Sequence, residues 1–121
     1  MEDKINVAVV GLGRVGKSFL EQLLGFPKER GIAILYAVEK NDTSGRSVAK
    51  DAGITITTIA ELCNMCSGVD IIFDFTGKSE TRRELTDKLA YLRNKHTVVI
   101  SEKVARLMWA IMGGKALPEQ E

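Results

Sequence analysis

The residues of this sequence best suited to chemistry act through their backbone. Three glycines stand in the stretch Val7-Ala-Val-Val-Gly-Leu-Gly-Arg-Val-Gly-Lys-Ser-Phe-Leu. An apolar run before them and helical spacing after them predict a strand, a turn and a helix start. The first amides of a helix lack intrahelical acceptors and the helix dipole favours negative charge, so such a junction can hold a phosphate. Gly11 would allow the tight turn, Gly13 would let the backbone approach a pyrophosphate, and Gly16 would let the helix pack against the strand. The stretch satisfies two phosphate patterns. Gly11-x-Gly13-x-x-Gly16 is a dinucleotide fingerprint, and Gly11-x-x-x-x-Gly16-Lys17-Ser18 formally matches a P-loop for ATP or GTP with Mg²⁺.

The elements that would position these residues favour the dinucleotide. Ile32–Val38 reads as the second strand, and Glu39 at its end falls about 23 residues beyond Gly16, the spacing of a ribose-binding carboxylate. A carboxylate there accepts hydrogen bonds from ribose hydroxyls and repels a 2′-phosphate, so NAD is expected ahead of NADP; Lys40 and Arg14 pull the other way. The P-loop alternative draws on Val69–Asp74, an apolar strand whose final Asp could hold Mg²⁺. Against it, the chain leaves little room for the extra strands and switch loops of a nucleotidase, and a P-loop has no need of Gly13. In the preferred reading Gly11, Leu12, Gly13, Arg14, Val15 and Gly16 form the cofactor turn, and Lys17 and Ser18 are ordinary residues of the first helix.

Periodicity supplies the rest of the frame. Ile5–Val10 is a nearly continuous apolar run, as in a central parallel strand. A first helix is expected over Arg14–Gly25, with Val15, Phe19, Leu20, Leu23 and Leu24 facing the sheet. A loop over Asn41–Gly45 and a brief helix over Arg46–Ala52 follow the second strand. Ile54–Thr58 is a third strand, and Ile59–Ser67 a short helix. Val69–Phe75 is a fourth strand, whose end carries Thr76, Gly77 and Lys78 into the expected ligand crevice, beside the nicotinamide half. The next helix is expected to open on a Thr81/Glu84 capping box, with Ser79 as another possible cap, and to bury Leu85, Leu89 and Leu92. Thr97–Ile100 is a fifth strand, Ser101-Glu-Lys103 follows it, and the last helix is Val104–Met112. Five alternations with short links give an α/β, Rossmann-type doubly wound parallel sheet of order 3-2-1-4-5, helices on both faces. Residues 1–121 read as a single dinucleotide-binding domain with a polar tail over 113–121. The last helix is apolar nearly all round, which predicts an interface with a second copy or with a further C-terminal domain.

Composition excludes several classes. Lys and Arg number 17 against 16 Asp and Glu, which gives no basic footprint for nucleic acid or a membrane surface. No apolar run is long enough to span a bilayer and the charged start lacks a signal core, so the cytoplasm is expected. Cys63 and Cys66 form a Cys-x-x-Cys pair without a second pair to complete a zinc site; two reduced thiols in a helix, one of them buried, are expected, and no metal. His96, the sole histidine, lies in a polar turn and reads as a surface residue.

Together these residues resemble the N-terminal NAD(P)-binding domain of homoserine dehydrogenases and related aspartate-type dehydrogenases. The likeness rests on Val9–Gly16, on Asp70–Gly77 with its closing Thr-Gly, and on Arg83-Glu-Leu85 through Lys95–Val99. Lys103 falls on the lysine of the family's Thr-Ala-Asn-Lys turn, which the resemblance places near nicotinamide and substrate as a candidate catalytic group. Ile100, Ser101 and Glu102 stand where that turn has Thr, Ala and Asn, and Glu102 brings a negative charge to an amide position. The family's substrate domain follows this point. The resemblance therefore implies a dinucleotide module without complete catalytic machinery, or the cofactor domain of an active dehydrogenase whose substrate domain lies elsewhere.

Overall fold

The computed structural model describes residues 4–113 and 117–118. Strand β1 (Ile5–Val10) sends Val7 and Val9 to one face and Ala8 and Val10 to the other, and all four are buried. A strand covered on both faces belongs at the centre of a parallel sheet. It is flanked by β2 (Ile32–Val38) and β4 (Ile71–Asp74), with β3 (Thr55–Thr57) and β5 (Val98–Ser101) at the edges, and the order is β3-β2-β1-β4-β5, parallel throughout. The fold is the expected Rossmann-type α/β sheet. Val10 pairs with Val38 and with Asp74, Val38 pairs with Thr57 and Asp74 with Ser101, so all five strands end level along one edge.

Helices α1 (Arg14–Leu24), α2 (Ser44–Asp51) and α5 (Glu102–Ile111) cover the Val7/Val9 face, while α3 (Ile59–Asn64) and α4 (Ser79–Tyr91) cover the other. Phe19 anchors the first layer. It is fully buried, and its ring centroid lies 4.6 Å from that of Phe73, 4.9 Å from Phe75 and 5.0 Å from Trp109. Burying such a side chain contributes roughly 2–3 kcal/mol.

Several local expectations are corrected. Leu24 and Leu92 are exposed, because each falls at a helix terminus beyond the sheet. No capping box forms at Thr81, which is already inside α4; Lys78 is the cap residue and offers no side-chain bond. Helix α2 starts at Ser44, capped by Thr43, and so takes in Ser44 and Gly45. β5 passes directly into α5, so Glu102 and Lys103 are helical and no loop intervenes. Both cysteines are buried, Cys63 in α3 and Cys66 in a 3-10 turn (Cys66–Gly68), both as free thiols. Burial pushes the Cys63 thiol up and the Cys66 thiol up to about 11.

Helix α5 is two-sided. Ala105 and Trp109 belong to the chain's own core, with the Trp109 ring near Phe19 and Phe26 and its Nε1 donating to Gln22 Oε1. Val104, Leu107, Ile111 and Met112 are exposed. The expected polar tail is corrected at Leu117, which is buried; Arg106 donates to the Leu117 carbonyl at 3.2 Å and to the Pro118 carbonyl, and bonds Glu102 at 2.9 Å. The remainder of the tail after Gly113 lies outside the described residues.

Candidate functional site

The glycine turn sits where β1 ends, between the ends of β2 and β4. Each glycine meets different surroundings. Gly11 has φ +93°, and a Cβ there would stand 2.9 Å from the Thr76 nitrogen. At Gly16 a Cβ would fall 1.9 Å from the Gly11 carbonyl oxygen, so only a glycine lets α1 close onto the turn. Among the described residues nothing lies within 4 Å of where a Gly13 Cβ would stand. Its φ of −76° lies outside the left-handed region, and packing among the described residues does not demand a glycine there. Gly13 is also the N-cap of α1. It provides no side-chain cap, and the first turn of that helix carries no acidic residue. Gly13 and the first turn of α1 thus bring neither a side-chain cap nor an acidic residue of their own to the helix start.

Helix α1 begins at Arg14, so the turn is three residues long and Gly16, Lys17 and Ser18 are helical. A P-loop match at Gly11-x-x-x-x-Gly16-Lys17-Ser18 would need that span as a phosphate-wrapping loop. The helix start at Arg14 leaves no such loop, which disfavours the nucleotidase alternative. Asp74, the carboxylate that alternative would use for Mg²⁺, is buried and accepts from the Thr76 nitrogen at 3.0 Å and the Thr76 hydroxyl at 2.7 Å. Among the described residues no group of three or more His, Cys, Asp or Glu side chains could hold a metal ion.

Glu39 folds back onto the turn. Its Oε1 accepts from the Leu12 nitrogen at 2.7 Å and its Oε2 from the Asn41 nitrogen at 3.1 Å. A carboxylate has about four acceptor positions, which leaves room for ribose hydroxyls. Gly11, Leu12, Gly13, Glu39 and Thr76 are thus brought together. Val15 and Gly16 are buried behind the turn. Thr76 turns the chain after β4, accepting the Lys78 amide at 3.2 Å; Gly77, at φ +69°, and the Lys78 side chain are exposed. Lys40 is exposed at the start of the β2–α2 connection. Lys103 is exposed in the first turn of α5, two strand spacings from β1, roughly 10 Å across the sheet. A cleft of about 440 Å³ opens beside Gly13, lined by Arg14, Lys17, Ser18 and Glu21 of α1, by Thr43 and Ser44, and by Pro118. Thr43 and Gly45 escaped the sequence reading because Thr-Ser-Gly reads as loop; a capping threonine ahead of Arg46–Ala49 was the available signal.

A second polar cluster occupies the opposite edge of the sheet. Asp70 Oδ2 accepts from the Asn6 nitrogen at 2.8 Å, and Asp70 Oδ1 lies 2.5 Å from His96 Nε2. The Asn6 amide, then His96, hold this carboxyl below the usual aspartate range. His96 is on the surface as expected, with a partner the sequence did not reveal.

No protein-family model matches the chain, and no curated protein matches it. Solved structures do. A homoserine dehydrogenase from Thiobacillus denitrificans is 27% identical, over 92% of this chain and 27% of that one, with a TM-score of 0.60. A glucose dehydrogenase from Haloferax mediterranei is 16% identical, over 84% of this chain and 37% of that one, at 0.59. A Rex-family repressor is 9% identical, over 92% of this chain and 60% of that one, at 0.58. The chain spans 37% of the length of the glucose dehydrogenase and 27% of that of the homoserine dehydrogenase. These likenesses agree with the Rossmann-type fold. No helix among the described residues is long and apolar enough to cross a membrane.

Proposed function

We propose that residues 1–121 form a single dinucleotide-binding domain that takes NAD(H) ahead of NADP(H) and lacks complete catalytic machinery. The observation that carries this reading is the open face at Gly13, a glycine that packing among the described residues does not require. A pyrophosphate there would lie against the first amides of α1, held by the turn Gly11–Gly16 with Arg14 alongside. The remaining acceptor positions of Glu39 would take the adenosine ribose. Thr76, Gly77 and Lys78 would border the nicotinamide half. Bound nicotinamide supplies hydride transfer; the chain supplies binding and orientation. Lys103, the candidate catalytic group that the family resemblance implies, is exposed.

Such a module serves as a domain of a longer protein or as a regulator reporting NAD(H) to a partner. The second reading, the cofactor domain of an active dehydrogenase, draws on the 27% identity to a homoserine dehydrogenase of which this chain covers about a quarter. In either case the exposed Val104, Leu107, Ile111 and Met112 face of α5 is a surface for a second copy or a further domain.

Calorimetric titration with NADH, NADPH and ATP–Mg²⁺ tests the assignment. NADH should bind more tightly than NADPH, and ATP–Mg²⁺ should give no comparable heat. Gly13→Val should abolish dinucleotide binding while circular dichroism stays native. Absence of dinucleotide binding, or unchanged affinity in that variant, would refute the reading. Turnover of NAD⁺ with homoserine or aspartate by this chain would favour the dehydrogenase instead.

A further inference from the structure

Leu12 lies between Gly11 and Gly13, its side chain fully buried. Both of its backbone polar groups are held by one segment, the β2–α2 connection. Glu39 accepts the Leu12 N–H, and the Thr43 hydroxyl donates to the Leu12 carbonyl at 2.9 Å. The same Thr43 oxygen accepts from the Arg46 nitrogen at 3.1 Å, so one hydroxyl both caps α2 and ties that helix to the turn. Gly45 makes this approach possible. It is buried in the first turn of α2, where a Cβ would stand 2.5 Å from the Leu12 carbonyl oxygen and 3.0 Å from both the Leu12 and Lys17 Cβ atoms.

The consequence follows from peptide planarity. The Leu12 carbonyl and the Gly13 N–H belong to one trans peptide unit and point in opposite directions, so fixing the first aims the second. The geometry points to Thr43 as a positioning residue that, with Gly45, aims the Gly13 amide outward from the turn. A hydrogen bond received at the carbonyl also polarises the unit and strengthens its N–H as a donor. Thr43 needs no contact with a ligand for this. The effect on ligand affinity rests on the dinucleotide reading above, whereas the clamp itself is a property of the chain alone.

Three variants separate the clamp from the cap. Thr43→Ser keeps both bonds. Thr43→Asp keeps an acceptor for Arg46, but an ionised carboxylate has no hydrogen to give the Leu12 carbonyl. Thr43→Val loses both without adding charge. In ¹⁵N relaxation of the ligand-free protein, order parameters at Leu12 and Gly13 should fall from the rigid range, about 0.85, toward about 0.6 in the Asp and Val variants, and hold in the Ser variant. Arg46 and Ser47 should loosen only in the Val variant. NADH affinity should drop about fivefold in Thr43→Val and stay within about twofold in Thr43→Ser. Unchanged order at Leu12 and Gly13 in both the Asp and Val variants would overturn the proposal, as would a Ser variant that behaves like Val. If the parent protein binds neither NADH nor NADPH, the dinucleotide reading fails and the order parameters still decide the clamp.

Discussion

The two ends of the sheet treat polar groups in opposite ways. At the amino end of β4 and β5 the chain satisfies itself. Asp70 meets Asn6 and His96, the Asn94 side-chain oxygen accepts from the His96 and Thr97 amides at 2.8 Å each, and the Thr97 hydroxyl lies within 2.9 Å of the Cys66 and Val69 carbonyls. At the carboxyl end of β1 the chain withdraws its side chain at Gly13 and gives the helix start no acidic neighbour in the first turn. A closed network of this kind is architecture. A helix start whose N-cap residue has no side chain, open among the described residues, suits an anion from outside the chain. The comparison also separates glycines that look alike in sequence, since Gly16 is demanded by its neighbours and Gly13 is not.

That contrast can be broken by experiment, the largest effect first. Gly16→Ala drives a Cβ into the Gly11 carbonyl and should cost about 2–4 kcal/mol in denaturant unfolding. Gly13→Ala should stay within about 0.5 kcal/mol of the parent. Equal losses at the two positions would dissolve the distinction between them. Glu39→Ala removes the acceptor of the Leu12 amide and should cost about 1–2 kcal/mol, the range of a partly exposed hydrogen bond to a charged group. It should also weaken NADH relative to NADPH, and an unchanged ratio in paired titrations would remove Glu39 from ribose recognition.

The smallest effect belongs to the opposite end. The Asp70 carboxyl is held below its ordinary value of 3.8, chiefly by the Asn6 amide and then by His96. Lowered in the folded state, it adds stability that is fully present above that value and is lost as pH falls beneath it. Asp70→Asn should therefore flatten the acid limb of a stability–pH profile and leave NADH affinity unchanged. A change in affinity would show that the two ends are coupled.

Much of this was legible because it depends on periodicity. The apolar run of β1 and the alternation of strands and helices were enough for strand order; the fingerprint spacing brought Gly11, Gly13 and Glu39 to one edge, and the end of the fourth strand brought Thr76 there. What stayed hidden depends on contact. Thr43-Ser-Gly reads as a turn, since Ser and Gly are weak helix formers, yet Thr43 caps a helix that begins at Ser44, and Leu12 leaves no room there for a residue larger than Gly45. Periodicity cannot say which side of an apolar helix its own core will claim, and so Trp109 turned out to be internal. Pairing between distant polar residues, as between Asp70 and His96, leaves no local pattern.

The place of that indole has a practical sequel. It is the chain's sole tryptophan, and it joins α5 to α1 through Phe19 and Gln22. Gln22 lies eight residues beyond the start of α1, about 12 Å along the helix axis from the glycine turn. Its emission is therefore a gauge of whether the last helix remains docked, and a red shift on heating would time the undocking of that helix without any added label.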